Sequence, residues 1–282
     1  MQLENATAAI VGLGLMGGSL ALALRGSCRR IVGVARRTEV GQLALHEGIV
    51  DVASCSLNAA AHADIVVLAT PIRHILSTIP AVAGLMRPGA LLIDLGSTKA
   101  QIVEAMNAIS EGVAAIGGHP MCGKETGGLE SADADLFRGA TFVLTPTRRT
   151  TPEAMQLVHD LVAATGAKPL VLDAERHDRA VAAISHLPYL LAASLMRVES
   201  AANAEDDAAG KLAASGFRDT SRLAASSLDM MLDILLTNHE PVVAALDMFE
   251  REIARARVLL NDEAALRAWM EEARCNRMEM YS

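Results

Sequence analysis

Aromatic residues are scarce in this chain. They make up 2% of 282 residues: one Trp, two Tyr and four Phe. A core short of rings must be filled by aliphatic side chains, and an Ala-, Leu-, Val- and Met-rich chain suits helices and a helix-covered sheet better than a sandwich of short strands. Cysteine is sparse too. Cys28, Cys55, Cys122 and Cys275 show no zinc or disulfide spacing, so reduced thiols in a cytoplasm are expected. There is no block of Lys and Arg, and the net charge is -8. Binding nucleic acid needs clustered cations to neutralise phosphates, so it is excluded as a partner. The apolar stretch 6–24 is interrupted by Gly12, Gly14, Gly17, Gly18 and Ser19 and has no basic lead-in. It reads as strand, turn and helix rather than an export signal or membrane span, and no membrane partner is expected.

Apolar residues make up 51% of the chain, enough to core one large or two modest domains. Apolar runs at Thr7 to Val11, Arg30 to Ala35, Ala63 to Thr70 and Ala90 to Leu95 predict strands. They are continuous rather than alternating, as in a parallel sheet covered on both faces. Weaker strand candidates are Ala114 to Ile116, Thr141 to Leu144 and Pro169 to Leu172, with helical stretches at Arg73 to Leu85 and Lys99 to Ile109. This alternation predicts a doubly wound α/β domain over 1–172. Beyond Asp173 the pattern is helical: Ala174 to Ala202, with a break near Pro188, then Pro241 to Leu260 and Asp262 to Met278. An all-α domain over 173–282 is expected to pack on the first domain, on a second subunit, or on both.

The first strand runs directly into Gly12-Leu13-Gly14-Leu15-Met16-Gly17, which opens a helix. A GxGxxG run is weak evidence alone, but this context is the one a dinucleotide fingerprint requires. Gly12 serves the tight turn, Gly14 the approach of a pyrophosphate, and Gly17 close helix–strand packing. The N–H groups around Leu15 and Met16 face the phosphates at the positive end of the helix dipole. Thr70 and Pro71, at the end of a neighbouring strand, complete the expected cofactor contacts. An acid closing the second strand would hold the ribose hydroxyls of NAD. That place falls at Ala35 and is followed by Arg36, Arg37 and Thr38. Two guanidinium groups and a hydroxyl suit a ribose 2′-phosphate, so NADP is preferred, with NAD as the alternative.

Three further segments carry chemistry. Asp94-Leu95-Gly96-Ser97-Thr98-Lys99 follows a buried strand, at the edge where open α/β sheets bind ligands. Ser97 there either caps the next helix, meets a ligand, or does both. In Gly117-Gly118-His119-Pro120, glycines and proline flank His119 and place it in a stiff turn, as a catalytic or a structural histidine. His186, in Ile184-Ser185-His186-Leu187-Pro188, taken alone reads as a core or interface residue. Cys122, three residues past His119, reads as a small packed residue.

Taken together the text becomes recognisable. VGLGLMGGSLA at 11–21, DLGSTK at 94–99, GGHPMCGKETGG at 117–128, LFRGATFVLTP at 136–146, HDRAVAAISHLP at 177–188 and GFRDTSRLA at 216–224 follow one another as they do in the prephenate/arogenate dehydrogenase family, which the chain resembles over nearly its whole length. The resemblance implies an N-terminal Rossmann domain and a C-terminal helical domain that forms a homodimer. It also implies oxidative decarboxylation of prephenate or arogenate in tyrosine biosynthesis, with NADP or NAD as hydride acceptor. By the same resemblance His119 is the catalytic histidine, and Ser97 holds both the substrate and that histidine. Arg222 binds a substrate carboxylate, His186 lines the pocket, and Glu125 and Asp219 stand at its entrance. Neither a preceding chorismate mutase domain nor an added regulatory domain is expected.

Two other readings compete. A β-hydroxyacid-type dehydrogenase would need a catalytic lysine on a long helix of the second domain. Lys211, in a weakly patterned stretch, is the one lysine after Lys168. A non-catalytic dinucleotide-binding sensor would have no need of His119, Ser97 and Arg222 together.

Overall fold

The computed structural model describes residues 1–281; the end of the expected second domain, Ser282, lies outside the described residues. Eight strands form one sheet: β1 (Thr7–Val11), β2 (Arg30–Val34), β3 (Val52–Ser54), β4 (Ile65–Leu68), β5 (Leu91–Asp94), β6 (Ala114–Pro120), β7 (Thr141–Pro146) and β8 (Lys168–Val171). Their order is β3-β2-β1-β4-β5-β6-β7-β8. The first six strands are parallel, with the switch of direction in strand order at the β1–β4 crevice. β7 runs antiparallel to β6 and parallel to β8. The half-buried three-residue β3 carried no signal in the sequence.

Alternate residues of each central strand feed opposite faces of the sheet. Ile10, Ile65, Val67 and Ile93 join one core with Leu20 of α1 (Leu15–Ala23), Ala44 of α2 (Thr38–His46) and Leu157 and Leu161 of α5 (Pro152–Ala164). Val11, Val66, Leu68 and Leu92 join the other with Ile75 and Ile79 of α3 (Ile72–Leu85) and Ile102 and Met106 of α4 (Ala100–Asn107). Both faces are therefore covered, which is why these strands read as unbroken apolar runs.

After β8 the chain is helical. Asp173 caps α6 (Ala174–Val181) by accepting from the Arg176 N–H at 2.8 Å. The expected break near Pro188 takes another form. One wide π-type turn, Ala182–His186, precedes α7 (Leu187–Glu205), so the helical path continues around a proline that has no N–H to donate. Five helices follow: α8 (Ala208–Leu212), α9 (Ser215–Ser221), α10 (Leu228–Thr237), α11 (His239–Leu259) and α12 (Glu263–Met280).

These helices are not an independent body. Met231 and Ile234 of α10 belong to the α3/α4 side of the sheet core. Asp233 pairs with Arg73, Thr98 and Thr237 share a hydrogen bond of 2.8 Å, and the Gln101 side chain donates to the Thr237 carbonyl at 3.2 Å. Asp178 of α6 caps α4, accepting from the N–H groups of Lys99 at 2.7 Å and Ala100 at 2.8 Å. The outer faces of the helices are different. Among large apolar side chains that stay exposed, all except Met1, Leu45, Leu170 and Val171 come from this half of the chain. The run 174–204 is long and apolar enough to cross a bilayer, but His177, Asp178 and His186 on it are buried against the protein.

Candidate active site

The glycine loop has the geometry its sequence predicts. Gly12 has φ +104°, and a Cβ there would lie 2.6 Å from the Ala69 carbonyl oxygen. A Cβ on Gly17 would lie 1.9 Å from the Gly12 carbonyl oxygen, so α1 sits directly on the turn. Gly14 faces open space and is the N-cap of α1 with no side-chain cap. The first-turn N–H groups of Leu15, Met16 and Gly17 thus have no intrahelical acceptor and point at the space before the helix. Across the crevice the Thr70 hydroxyl is buried without a partner, beside Pro71, the N-cap of α3. Open N–H groups, a cradle that a side chain on residue 14 would fill, and an orphaned hydroxyl fit a bound pyrophosphate. At the end of β2, Ala35 is buried, whereas Arg36, Arg37 and Thr38 are exposed. Thr38 meets the Cys55 sulfur at 3.5 Å, and among the described residues no salt bridge to Arg36 or Arg37 is found.

His119 is the penultimate residue of β6, opposite Val143 of β7. The stiff turn expected from its glycines and proline is instead a continuation of the strand. Gly117 and Gly118 are needed for packing. A Cβ on Gly118 would lie 2.5 Å from the Asp94 carbonyl oxygen, and one on Gly117 would press on the Lys99 side chain at 3.2 Å. Beneath the histidine lies a fully buried ion pair: Lys99 Nζ contacts the Asp94 carboxylate and donates to the Gly118 carbonyl at 2.6 Å. Asp94 also accepts from the N–H groups of Gly96 at 2.7 Å and Gly118 at 3.0 Å. Burial lowers the Lys99 ammonium from its ordinary range, opposed by the charges of Asp94 and Asp178.

The His119 Nδ1 lies 2.8 Å from His177 Nε2, and His177 Nδ1 lies 2.8 Å from an Asp178 oxygen. The imidazole of His119 is driven well below the ordinary 6.5, first by burial, then by the neighbouring His177, Lys99 and His186. It is neutral at physiological pH and able to accept a proton. His186, in the wide turn, is buried and accepts from the Asn238 side chain at 3.1 Å, while the same Asn238 amide donates to the Asp178 carbonyl at 2.8 Å. Burial lowers its pKa to about 4, with Asp178 opposing.

The remaining expected residues are placed less uniformly. Ser97, partly buried after β5, makes no hydrogen bond among the described residues. It neither caps α4, whose carboxylate cap is Asp178, nor holds His119, whose partner is His177. Arg222 reaches across from the helical half to Glu125, six residues past His119, at 2.6 Å. Their side chains are 59% and 77% exposed, so the pair contributes at most about 1 kcal/mol and its guanidinium is open to a competing carboxylate. Asp219 is exposed and pairs with its neighbour Arg218 at 3.4 Å rather than with the site. Burial pushes the Cys122 thiol up to about 11, which keeps it protonated near neutral pH, in keeping with a packing role. Lys211, which a β-hydroxyacid enzyme would need in its site, is paired with Asp207 at 2.6 Å on the short α8, with both side chains mostly exposed.

Sequence reasoning missed His177, Asp178, Asn238 and the Asp94–Lys99 pair. The strings HDRAVAAISHLP and DLGSTK contain four of these five residues, yet nothing in a linear text marks an acid as buried. A glycine loop open to a dinucleotide and a neutral imidazole at the same sheet edge define the class of a nicotinamide-dinucleotide-dependent dehydrogenase.

The comparisons narrow that class. The family described as prephenate dehydrogenase, nucleotide-binding domain, matches residues 20–171, and prephenate dehydrogenase, dimerization domain, matches 173–272. The chain is 34% identical over 278 residues to a prephenate dehydrogenase of Lactococcus lactis, covering 96% of this chain and 76% of that protein. Among solved structures it resembles A. aeolicus prephenate dehydrogenase in complex with hydroxyphenyl propionate and NAD+ (TM-score 0.91, 30% identity, 99% and 98% of the two chains). It also resembles Synechocystis arogenate dehydrogenase (TM-score 0.86, 31% identity, 97% and 99%). This chain belongs to the prephenate dehydrogenase family, and it is an NAD(P)-dependent oxidoreductase of the prephenate/arogenate type.

Proposed function

We propose that the protein oxidises and decarboxylates prephenate or arogenate with His119 as the base and NADP as the preferred acceptor. The observation that carries this reading is a neutral imidazole at the carboxyl edge of the sheet, on the same side as the open glycine loop. Residues 1–172 would bind the dinucleotide through Gly12, Gly14, Leu15, Met16, Gly17, Thr70 and Pro71. Arg36, Arg37 and Thr38 would take the 2′-phosphate. When bound, the dinucleotide accepts a hydride from the hydroxyl-bearing ring carbon.

His119 takes the hydroxyl proton as the carbonyl forms. The bond from the ring to its carboxylate then breaks, carbon dioxide leaves, and the electron pair enters the ring. The proton returns from His119 to oxygen as the ring becomes aromatic, which makes the step effectively irreversible. Ser97 is the hydroxyl that would hold the substrate. Arg222 orients a substrate carboxylate, exchanging Glu125 for it; gripping a carboxylate stabilises the ground state, so its role is alignment. His186, neutral, is a pocket hydrogen-bond donor through its free Nε2. Glu125 and Asp219 would stand at the entrance, as the family resemblance implies, with Glu125 the acid available to an arogenate ammonium.

Residues 173–282 would form a homodimer, a second copy covering the exposed apolar faces of α7, α10, α11 and α12. The free thiols fit a cytoplasmic setting. A two-by-two assay of prephenate or arogenate with NAD or NADP, followed at the nicotinamide absorbance, tests the reading. His119→Asn should lower kcat by about 10²–10⁴-fold with little change in KM, and Arg222→Ala should mainly raise KM. Turnover of neither acid with either cofactor would reject it.

A further inference from the structure

We propose that His177 and Asp178 are positioning residues that fix the proton of His119 on Nδ1 and so present Nε2 as the base. The proposal rests on His119 being the base. It follows from who can donate to whom. The Asp178 carboxylate only accepts, and it already takes the N–H groups of Lys99 at 2.7 Å and Ala100 at 2.8 Å at the N-terminus of α4. Its contact with His177 Nδ1, at 2.8 Å, therefore needs a hydrogen on that nitrogen. With that one ring hydrogen, His177 keeps a lone pair on Nε2. The 2.8 Å contact from that atom to His119 Nδ1 must be donated by His119. One hydrogen on Nδ1 leaves His119 Nε2 with its lone pair free.

The rings meet edge-on, 73° between planes and 5.1 Å between centroids, a geometry compatible with hydrogen bonding through in-plane nitrogens. The charged and titratable groups facing the pair come from every neighbouring element. Asp94 and Lys99 are on β5 and before α4, Asp178 is on α6, and His186 is on the wide turn. The Lys99 cation opposes a second proton on His119, whereas Asp178 accepts the hydrogen on His177 Nδ1. When His119 takes the substrate's proton, its Nδ1–H bond to His177 strengthens and the new charge is shared toward Asp178 without any further proton leaving.

His177 and Asp178 sit on the helical half while His119 sits on the sheet. The base acquires its tautomer only when the two halves are docked. This resembles the role of the acid in a Ser-His-Asp triad, where orientation and tautomer rather than proton transfer are at stake.

The test uses the intact protein with histidine labelled with ¹⁵N, assayed with prephenate and with arogenate. Long-range ¹H–¹⁵N spectra of the wild type should show His119 with its hydrogen on Nδ1; a hydrogen on Nε2 overturns the proposal without any variant. His177→Leu should lose about 10²-fold in kcat, with substrate KM and dinucleotide Kd changed by less than about two-fold. His177→Gln, whose side-chain oxygen can still accept from His119 Nδ1, should recover about ten-fold of that loss. A His177→Leu protein that keeps kcat within about three-fold and an unchanged His119 tautomer overturns the relay while an inactive His119→Asn leaves the base assignment standing. Full activity in His119→Asn would overturn both.

Discussion

Replacing Lys99 by methionine keeps the length of the side chain and removes a buried charge. In the native protein Lys99 and Asp94 have no solvent exposure, and the ammonium also donates to the Gly118 carbonyl at 2.6 Å. After the substitution Asp94 keeps the N–H groups of Gly96 and Gly118 at 2.7 and 3.0 Å, but loses its cation. Removing one member of a buried pair typically costs about 3–5 kcal/mol, because the remaining charge has no water to return to. At about 2–4 °C per kcal/mol for a domain of this size, Tm should fall by about 6–20 °C. Adding Asp94→Asn should recover more than half of the loss, since the orphaned charge goes with it.

The same substitution reaches the site. Lys99 is one of the causes holding His119 below 6.5, so its loss, together with the bare Asp94 charge, raises the imidazole pKa. In the wild type, kcat/KM should stay level as pH falls from neutrality through 6.5 and decline only well below it; in Lys99→Met the decline should begin at higher pH. Denaturant unfolding and a pH–rate profile read the two effects separately. A loss of less than about 1 kcal/mol with an unmoved acid limb would refute the account of this ion pair.

The other expectations are simpler. Gly14→Ala should fold normally and weaken dinucleotide binding, because its methyl meets no protein atom within 4 Å and enters the cofactor's space. Gly17→Ala, with a Cβ 1.9 Å from the Gly12 carbonyl oxygen, should lower Tm as well; equal Tm values for the two would contradict the packing argument. His186 has a folded pKa near 4 against 6.5 unfolded, so the unfolded chain binds more protons between those values. Stability should be lost as pH falls from 6.5 through 4, by at most about 3 kcal/mol from this group, and His186→Gln should flatten that part of the curve in denaturant titrations. Leu232 and Leu236, 49% and 51% exposed on α10, should lie in the dimer interface, so Leu232→Asp should yield monomers in analytical ultracentrifugation; an intact dimer would place the interface elsewhere.

The strands other than the short β3, the glycine loop and the family were legible in the chain because each depends on local order. Apolar runs covered on both faces, and glycines that leave no room for a Cβ, write themselves into consecutive letters. What tertiary structure decided was partnership. Ser97 stands beside α4, as its motif suggests, yet the cap comes from Asp178, some eighty residues later, and so does the orientation of His119 through His177. Arg222 was expected from the family resemblance to meet a carboxylate, and its contact with Glu125 depends on how the helical half lies over the loop past β6. The long helix reads as breaking at Pro188, and the fold instead widens one turn to seat His186. Burial and charge pairing are properties of distance in space. A linear text can supply the acid, the imidazoles and the lysine, but only docking the two halves brings them within hydrogen-bonding reach and removes the water between them.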